Sequence, residues 1–178
     1  KKTETILIKQ EVGFDAYDLD GDGYVDYIEW IVPHLSNQTY ELIIEILGAE
    51  HLDENRSFIS DIYEEVKALD GNWSEEIPDS HYVRVTFEQK LTSENDITIY
   101  ARGNGSIEIY EAGEDVLIAE FENITENEYN KVYLTGLVGE EDTFDLKIIP
   151  PRDDSGEPRS FGIQFDHIID PSFSFTNV

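Results

Sequence analysis

Five carboxylates crowd one short segment, Asp18-Leu19-Asp20-Gly21-Asp22-Gly23-Tyr24-Val25-Asp26-Tyr27-Ile28-Glu29. Side-chain oxygens in this density suit a hard cation, and calcium takes roughly six to eight of them. Asp18, Asp20 and Asp22 alternate along the chain, so their carboxylates converge on one point as the backbone curls. Gly23 permits the sharp turn that follows, Tyr24 offers its backbone carbonyl, and Asp26 reaches the ion directly or through water. Glu29 closes the set with both carboxylate oxygens, and Val25 supplies an apolar contact. These carboxylates repel one another without a counter-ion, so ion binding contributes to folding of the segment. Magnesium is the alternative ion, though it tolerates so many protein oxygens poorly.

Other reactive side chains make no comparable pattern. His34, His51, His81 and His167 are far apart in sequence and include no H-E-x-x-H pair. No G-x-S-x-G elbow and no P-loop occur, and Gly103-Asn104-Gly105 reads as a hairpin turn between strands. The separation of two catalytic carboxylates is set by the fold and not by the sequence, so forty acids leave a glycosidase pair open but give no local signature for one; the chain is not expected to be an enzyme, and a hydrolase stands as the third reading. With no cysteine, disulfides, thiolate metal sites and cysteine nucleophiles are excluded. Trp73, Tyr63 and Tyr82, with Asp70, Glu75 and Asp79 nearby, could together form a sugar-binding platform. The competing reading is that Trp73 plugs the end of the fold below a helix.

The chain has 178 residues, with 12 basic against 40 acidic side chains and a net charge of −28. That balance argues against nucleic acid and against anionic membranes, since both require clustered Lys and Arg. No apolar run approaches the roughly 18 residues of a membrane span, so direct membrane insertion is not expected. Triplets of the form N-x-S/T begin at Asn37, Asn55, Asn72, Asn104 and Asn123, which fits a secreted, glycosylated protein; the alternative is that Asn, Ser and Thr simply collect in loops. The chain opens on Lys1, as expected of a processed piece of a longer protein.

The apolar content, 39%, is enough for one sizeable core. Residues 40–47 read as a buried strand, and 58–69 as the one amphipathic helix, from Ile59, Ile62, Val66 and Leu69, with Ser60 as cap and Gly71 as terminator. From there the period is two. Val83, Val85 and Phe87; Ile97, Ile99 and Ala101; Ile107 and Ile109; Val116 and Ile118; Val132 and Leu134; and Phe144, Leu146 and Ile148 each alternate with polar neighbours. Phe161, Ile163, Phe165 and Ile169 add a further strand, and Phe173 and Phe175 a short tail. The fold expected is mainly β, an antiparallel jelly-roll-like β-sandwich over residues 38–178, with one short helix. Residues 1–37 are expected to hold an N-terminal strand at 3–9 and the acidic loop. Either terminal strand could complete a neighbour's sheet edge or pair within its own domain.

The acidic loop resembles the EF-hand calcium loop at every ligand position. Its flanks differ: the preceding stretch lacks helical periodicity, and Pro33 cuts short the helix that should follow. The likeness is therefore to the half EF-hand of dockerins and other extracellular calcium repeats. A wider resemblance covers nearly the whole chain. Ile28-Glu29-Trp30-Ile31-Val32-Pro33-His34-Leu35, His51-Leu52-Asp53, Asp61-Ile62-Tyr63, Tyr82-Val83-Arg84-Val85-Thr86-Phe87, Asp142-Thr143-Phe144-Asp145-Leu146-Lys147 and Phe165-Asp166-His167-Ile168-Ile169-Asp170-Pro171 look like a repeated module of predicted secreted surface proteins of uncultured small-celled archaea. That resemblance implies a cell-surface location and modular use, and it carries no catalytic residues. The function expected is a calcium-binding extracellular structural module of a surface protein or filament, whose partners are copies of itself or neighbouring domains. The alternative is a carbohydrate-binding or adhesion module, with glycans as partners.

Overall fold

The computed structural model describes residues 12–21, 25, 27–32, 38–149, 151, 156 and 162–177. The chain divides into two compact units, Lys1–Gln38 with Thr176–Val178, and Thr39–Phe175. In the first, β1 (Phe14–Tyr17) and β2 (Tyr27–Trp30) form an antiparallel hairpin with Phe14 opposite Trp30 and Tyr17 opposite Tyr27. The Tyr17 and Tyr27 rings meet at 5.7 Å at the end of the stem. A strand thus follows the acidic loop where a short helix was expected. Tyr27, Ile28 and Trp30 are β-formers, and cross-strand pairing with β1 overrides the helical alternative. The candidate strand at 3–9 lies outside the described residues.

The second unit is an antiparallel β-sandwich. Its strands are β3 (Gln38–Ile44), β4 (Ile46–Leu52), β5 (Phe58–Asp61), β6 (Tyr82–Leu91), β7 (Asp96–Gly103), β8 (Ser106–Glu111), β9 (Leu117–Phe121), β10 (Glu128–Tyr133), β11 (Glu141–Ile149) and β12 (Ile163–Asn177). One sheet has six strands in the order β5-β4-β6-β11-β8-β9, the other four in the order β10-β7-β12-β3. Alternation decides which side chains lie between them. Val83, Val85 and Phe87 of β6, Phe144, Leu146 and Ile148 of β11, and Ile107 and Ile109 of β8 meet Ile97, Ile99 and Ala101 of β7 and Ile163, Phe165 and Ile168 of β12 in one buried core.

Three expectations are corrected in detail. Residues 40–47 are not one strand: the chain breaks at Glu45 and passes from β3 in one sheet to β4 in the other. The helix at 58–69 shrinks to α1 (Tyr63–Val66). Its first half is β5, because pairing with β4 captures Phe58 to Asp61, and only Ile62 and Val66 of the expected apolar face are buried. Ser60 does not cap it; its hydroxyl turns to Glu75, and the Asp61 carboxylate instead accepts the Tyr63 N–H at 2.9 Å. The third correction joins the last strand and the short tail into the single strand β12, which lies between β7 and β3.

The outer face of the six-stranded sheet is closed by a buried carboxylate. Asp145 on β11 accepts Arg84 Nε at 2.7 Å and Nη2 at 3.0 Å, Arg56 Nε at 2.9 Å and the Gly113 N–H at 2.9 Å. Arg56 also reaches Asp115 at 2.8 Å and lies 4.6 Å above the Tyr82 ring. Hydrogen bonding to Asp145 raises the Arg84 guanidinium above its ordinary value. The network joins the turn between β4 and β5 to β6, β11 and the connection between β8 and β9.

Candidate functional site

The opposite sheet presents a different surface. On β7 the inward Ile97, Ile99 and Ala101 leave Asp96, Thr98, Tyr100 and Arg102 on the other side of the strand, where Asp96 and Thr98 are buried and Tyr100 and Arg102 partly exposed. Register places Tyr129 of β10 and His167 of β12 on either side of Tyr100, and Gln164 of β12 beside Arg102. The Tyr100 and Tyr129 rings meet edge to face at 5.2 Å. Tyr129 and His167 close over the row, the phenol hydroxyl 2.9 Å from His167 Nδ1.

Trp73 joins this row because the segment before β6 is clipped along β12. Asp166 accepts the Gly71 N–H at 3.1 Å with one carboxylate oxygen and at 3.2 Å with the other, and Gly71 turns with φ +85°. The Ser74 N–H donates to the Phe165 carbonyl at 2.8 Å, and the Phe165 N–H returns to Ser74 Oγ at 2.9 Å. Held between these two ties, the half-buried indole packs 5.9 Å from Tyr100 and directly against Arg102, whose guanidinium carbon sits 4.2 Å above the ring. Trp73 therefore covers the outer face of the four-stranded sheet and is not a plug at the end of the core.

The arrangement is an aromatic row, Trp73, Tyr100 and Tyr129, edged by a cation, an amide and an imidazole. Aromatic faces bind the C–H faces of sugar rings, and the polar edge supplies hydrogen bonds to hydroxyls. The rings are inclined by 40° and 72° to their neighbours, so they cannot lie together against a flat crystalline surface. Tyr129 is 44% exposed and is the accessible end of the row.

The three aromatics chosen from sequence do not form one platform. Tyr82 is buried on the other sheet beneath Arg56 and Lys147, and Tyr63 lies on α1 under Lys67. Tyr100, Arg102, Tyr129, Gln164 and His167 were not foreseen. Tyr100 and Arg102 were legible as the outward residues of an alternating strand, but their neighbours depend on the strand order β10-β7-β12.

Of the calcium candidates, Asp18, Asp20 and Glu29 are described, and Asp22, Tyr24 and Asp26 lie outside the described residues. Asp18 Oδ1 accepts the Gly21 N–H at 2.6 Å, closing the first turn of the loop, with Gly21 at φ +80°. Glu29 stands on β2 opposite Asp15, two residues down the stem from the last pair, which is about 7 Å of strand rise. In a hairpin its side chain belongs to the stem, unlike the closing glutamate of a helix-flanked loop. Among the described residues, no group of three or more His, Asp or Glu is placed to hold a metal ion.

Two histidines separated in sequence do meet. Buried His51 lies with Nδ1 2.8 Å from Glu75 and Nε2 2.9 Å from His81 Nδ1. The Ser60 hydroxyl and His51 hold the Glu75 carboxyl below the usual carboxylate range. With Glu75 ionised, His51 Nδ1 is the donor of that pair, and both ring nitrogens of the buried imidazole have a partner. Asn55, Asn72, Asn104 and Asn123 are all exposed, and Asn72 directly precedes Trp73; Asn37 lies outside the described residues. A shallow cleft of about 310 Å³ includes Asn104, Glu122 and Asn123 in its wall, and among the described residues no aromatic side chain or cation lines it.

Fold and surface together define an antiparallel β-sandwich with an aromatic row on one outer face. No family model matches the chain, and no curated protein matches it. Among solved structures it is similar to the X-ray structure of GH31 CBM32-2 bound to GalNAc, with a TM-score of 0.39 and 14% identity over 77% of this chain and 97% of that one.

Proposed function

We propose that this protein is a carbohydrate-binding module of an extracellular surface protein, engaging a soluble glycan chain on the outer face of the β10-β7-β12-β3 sheet. The observation that carries this reading is the row Trp73, Tyr100 and Tyr129 with Arg102, Gln164 and His167 along its edge. Stacking on one accessible ring contributes roughly 0.5–1.5 kcal/mol beyond area burial. Tyr129→Ala therefore weakens glycan binding about two- to twelvefold, and Trp73→Ala weakens it at least as much. Isothermal titration against a panel of soluble neutral and acidic oligosaccharides reads both values. Unchanged affinity in Tyr129→Ala, with the variant folded, contradicts this assignment of the face.

A second reading concerns the acidic loop. We propose that Asp18 and Asp20, with Asp22, the Tyr24 carbonyl and Asp26, bind calcium at the tip of the β1–β2 hairpin, where the ion would offset their mutual repulsion. The contact favouring this is the Asp18 carboxylate closing the turn on Gly21. Asp18→Ala abolishes calcium binding by calorimetry, whereas Glu29→Gln, on the stem, retains most of it. Equal affinity in Asp18→Ala and the parent chain contradicts the site.

A further inference from the structure

The geometry points to a carboxylate-bearing sugar as the ligand of this face, with Arg102 as the group that selects it. This inference rests on the carbohydrate-binding reading above. Among the described residues, five cations are ion-paired to carboxylates: Arg56, Lys67, Arg84, Lys90 and Lys131. Arg102 is not, and neither is Lys147, which lies over the Tyr82 ring on the other sheet, in a chain with 40 acidic side chains. Its Nε donates to Gln164 Oε1 at 2.9 Å, and its guanidinium carbon lies 4.2 Å from the centre of the Trp73 ring. Gln164 cannot turn its amide over at no cost, because its Nε2 donates to the Ser74 carbonyl at 2.7 Å. Ser74 is in turn held to Phe165 by the paired bonds that position Trp73.

The guanidinium is thus fixed in direction at one edge and stacked on one face, and its two terminal nitrogens meet no protein acceptor among the described residues. A planar fork left open in this way matches a carboxylate through two parallel N–H···O bonds, which a hydroxyl of a neutral sugar cannot reproduce. Fixing the fork in advance also reduces the ordering cost of binding. Trp73 and Tyr100 continue from Arg102 along the face, so an anionic ring held by Arg102 places its neighbour over the aromatic row. The net charge of −28 opposes anions at long range. Exposed charges more than about 8 Å away are largely screened at physiological ionic strength, and the nearer carboxylates Glu126 and Asp166 are each engaged by a backbone N–H, of Gly103 and Gly71 respectively.

The shared chemistry is a carboxylate on a pyranose, which a uronic acid chain or a sialic acid terminus can supply. The test titrates the whole chain with trigalacturonate, its methyl ester, sialyllactose and neutral galactotriose. The expected result is that at least one acidic sugar binds about tenfold or more tightly than galactotriose, the increment of one charge-assisted pair. If trigalacturonate is that sugar, esterification removes the advantage. Arg102→Gln removes the preference for the acidic sugar, and Arg102→Lys, which keeps charge without the fork, recovers only part of it. Preference for trigalacturonate over sialyllactose identifies uronic acids, and the reverse identifies sialic acid. Equal binding of the acidic and neutral sugars overturns the inference and leaves the carbohydrate-binding reading standing. Binding of none of the four overturns both.

Discussion

Asp145→Ala is expected to lower the unfolding free energy by about 3 kcal/mol, the low end of the range for removing one partner of a buried pair. The carboxylate is fully buried and accepts three guanidinium bonds and one backbone N–H. Its loss leaves the Gly113 N–H and the Arg84 guanidinium without their acceptor, while Arg56 keeps Asp115 and the Glu114 carbonyl. The arginine side chains keep 19% and 28% exposure, so water restores part of their solvation, and the cost stays below that of a fully interred charge. Asp145→Asn keeps one acceptor oxygen and costs less. An exposed pair such as Lys90–Glu140 provides the comparison, since removing Glu140 costs under about 1 kcal/mol. Urea denaturation measures all three. If Asp145→Ala costs no more than Glu140→Ala, the network does not hold this sheet face together.

Phe144→Ala is expected to cost about 3–5 kcal/mol, at least as much as the loss of the Asp145 carboxylate. Phe144 is fully buried at the centre of β11, opposite Val85 on β6 and Glu111 on β8, and its ring meets Phe87 edge to face at 6.1 Å. Removing it leaves a cavity between two sheets whose backbones are tied by antiparallel ladders, so the surroundings relax little. Phe144→Leu fills most of the space and costs less than half as much. A loss below about 1.5 kcal/mol for the alanine variant would mean that the core repacks freely around β11.

Most of the sandwich was legible because one face of each sheet is buried, and the period of two then marks the inner residues directly. Val83, Val85 and Phe87, or Phe144, Leu146 and Ile148, are read from spacing alone and found inside. The helix at 58–69 was misread because Ile59, Ile62, Val66 and Leu69 satisfy a helical spacing that takes no account of β4 alongside. Once Phe58 to Asp61 pair with β4, Ile59 and Leu69 remain exposed. The acidic hairpin shows a related limit. Ligand spacing describes the loop, while Glu29 is displaced to the stem by pairing with Asp15, a cross-strand relation that no local spacing encodes. The aromatic row was half visible for the same reason: alternation turns Tyr100 and Arg102 outward, but only the strand order brings Tyr129, His167 and Gln164 beside them.

Trp30 and Trp73 are the two tryptophans of the chain, so Trp30→Phe leaves Trp73 as a single reporter at the proposed glycan face. Fluorescence titration of this variant with the oligosaccharide panel tests the central claim most directly. A saturable change in Trp73 emission, with the same midpoint as calorimetry and weakened by Tyr129→Ala, is the predicted result. Calorimetric binding without any change in Trp73 emission, or no binding of any sugar in the panel, would contradict it.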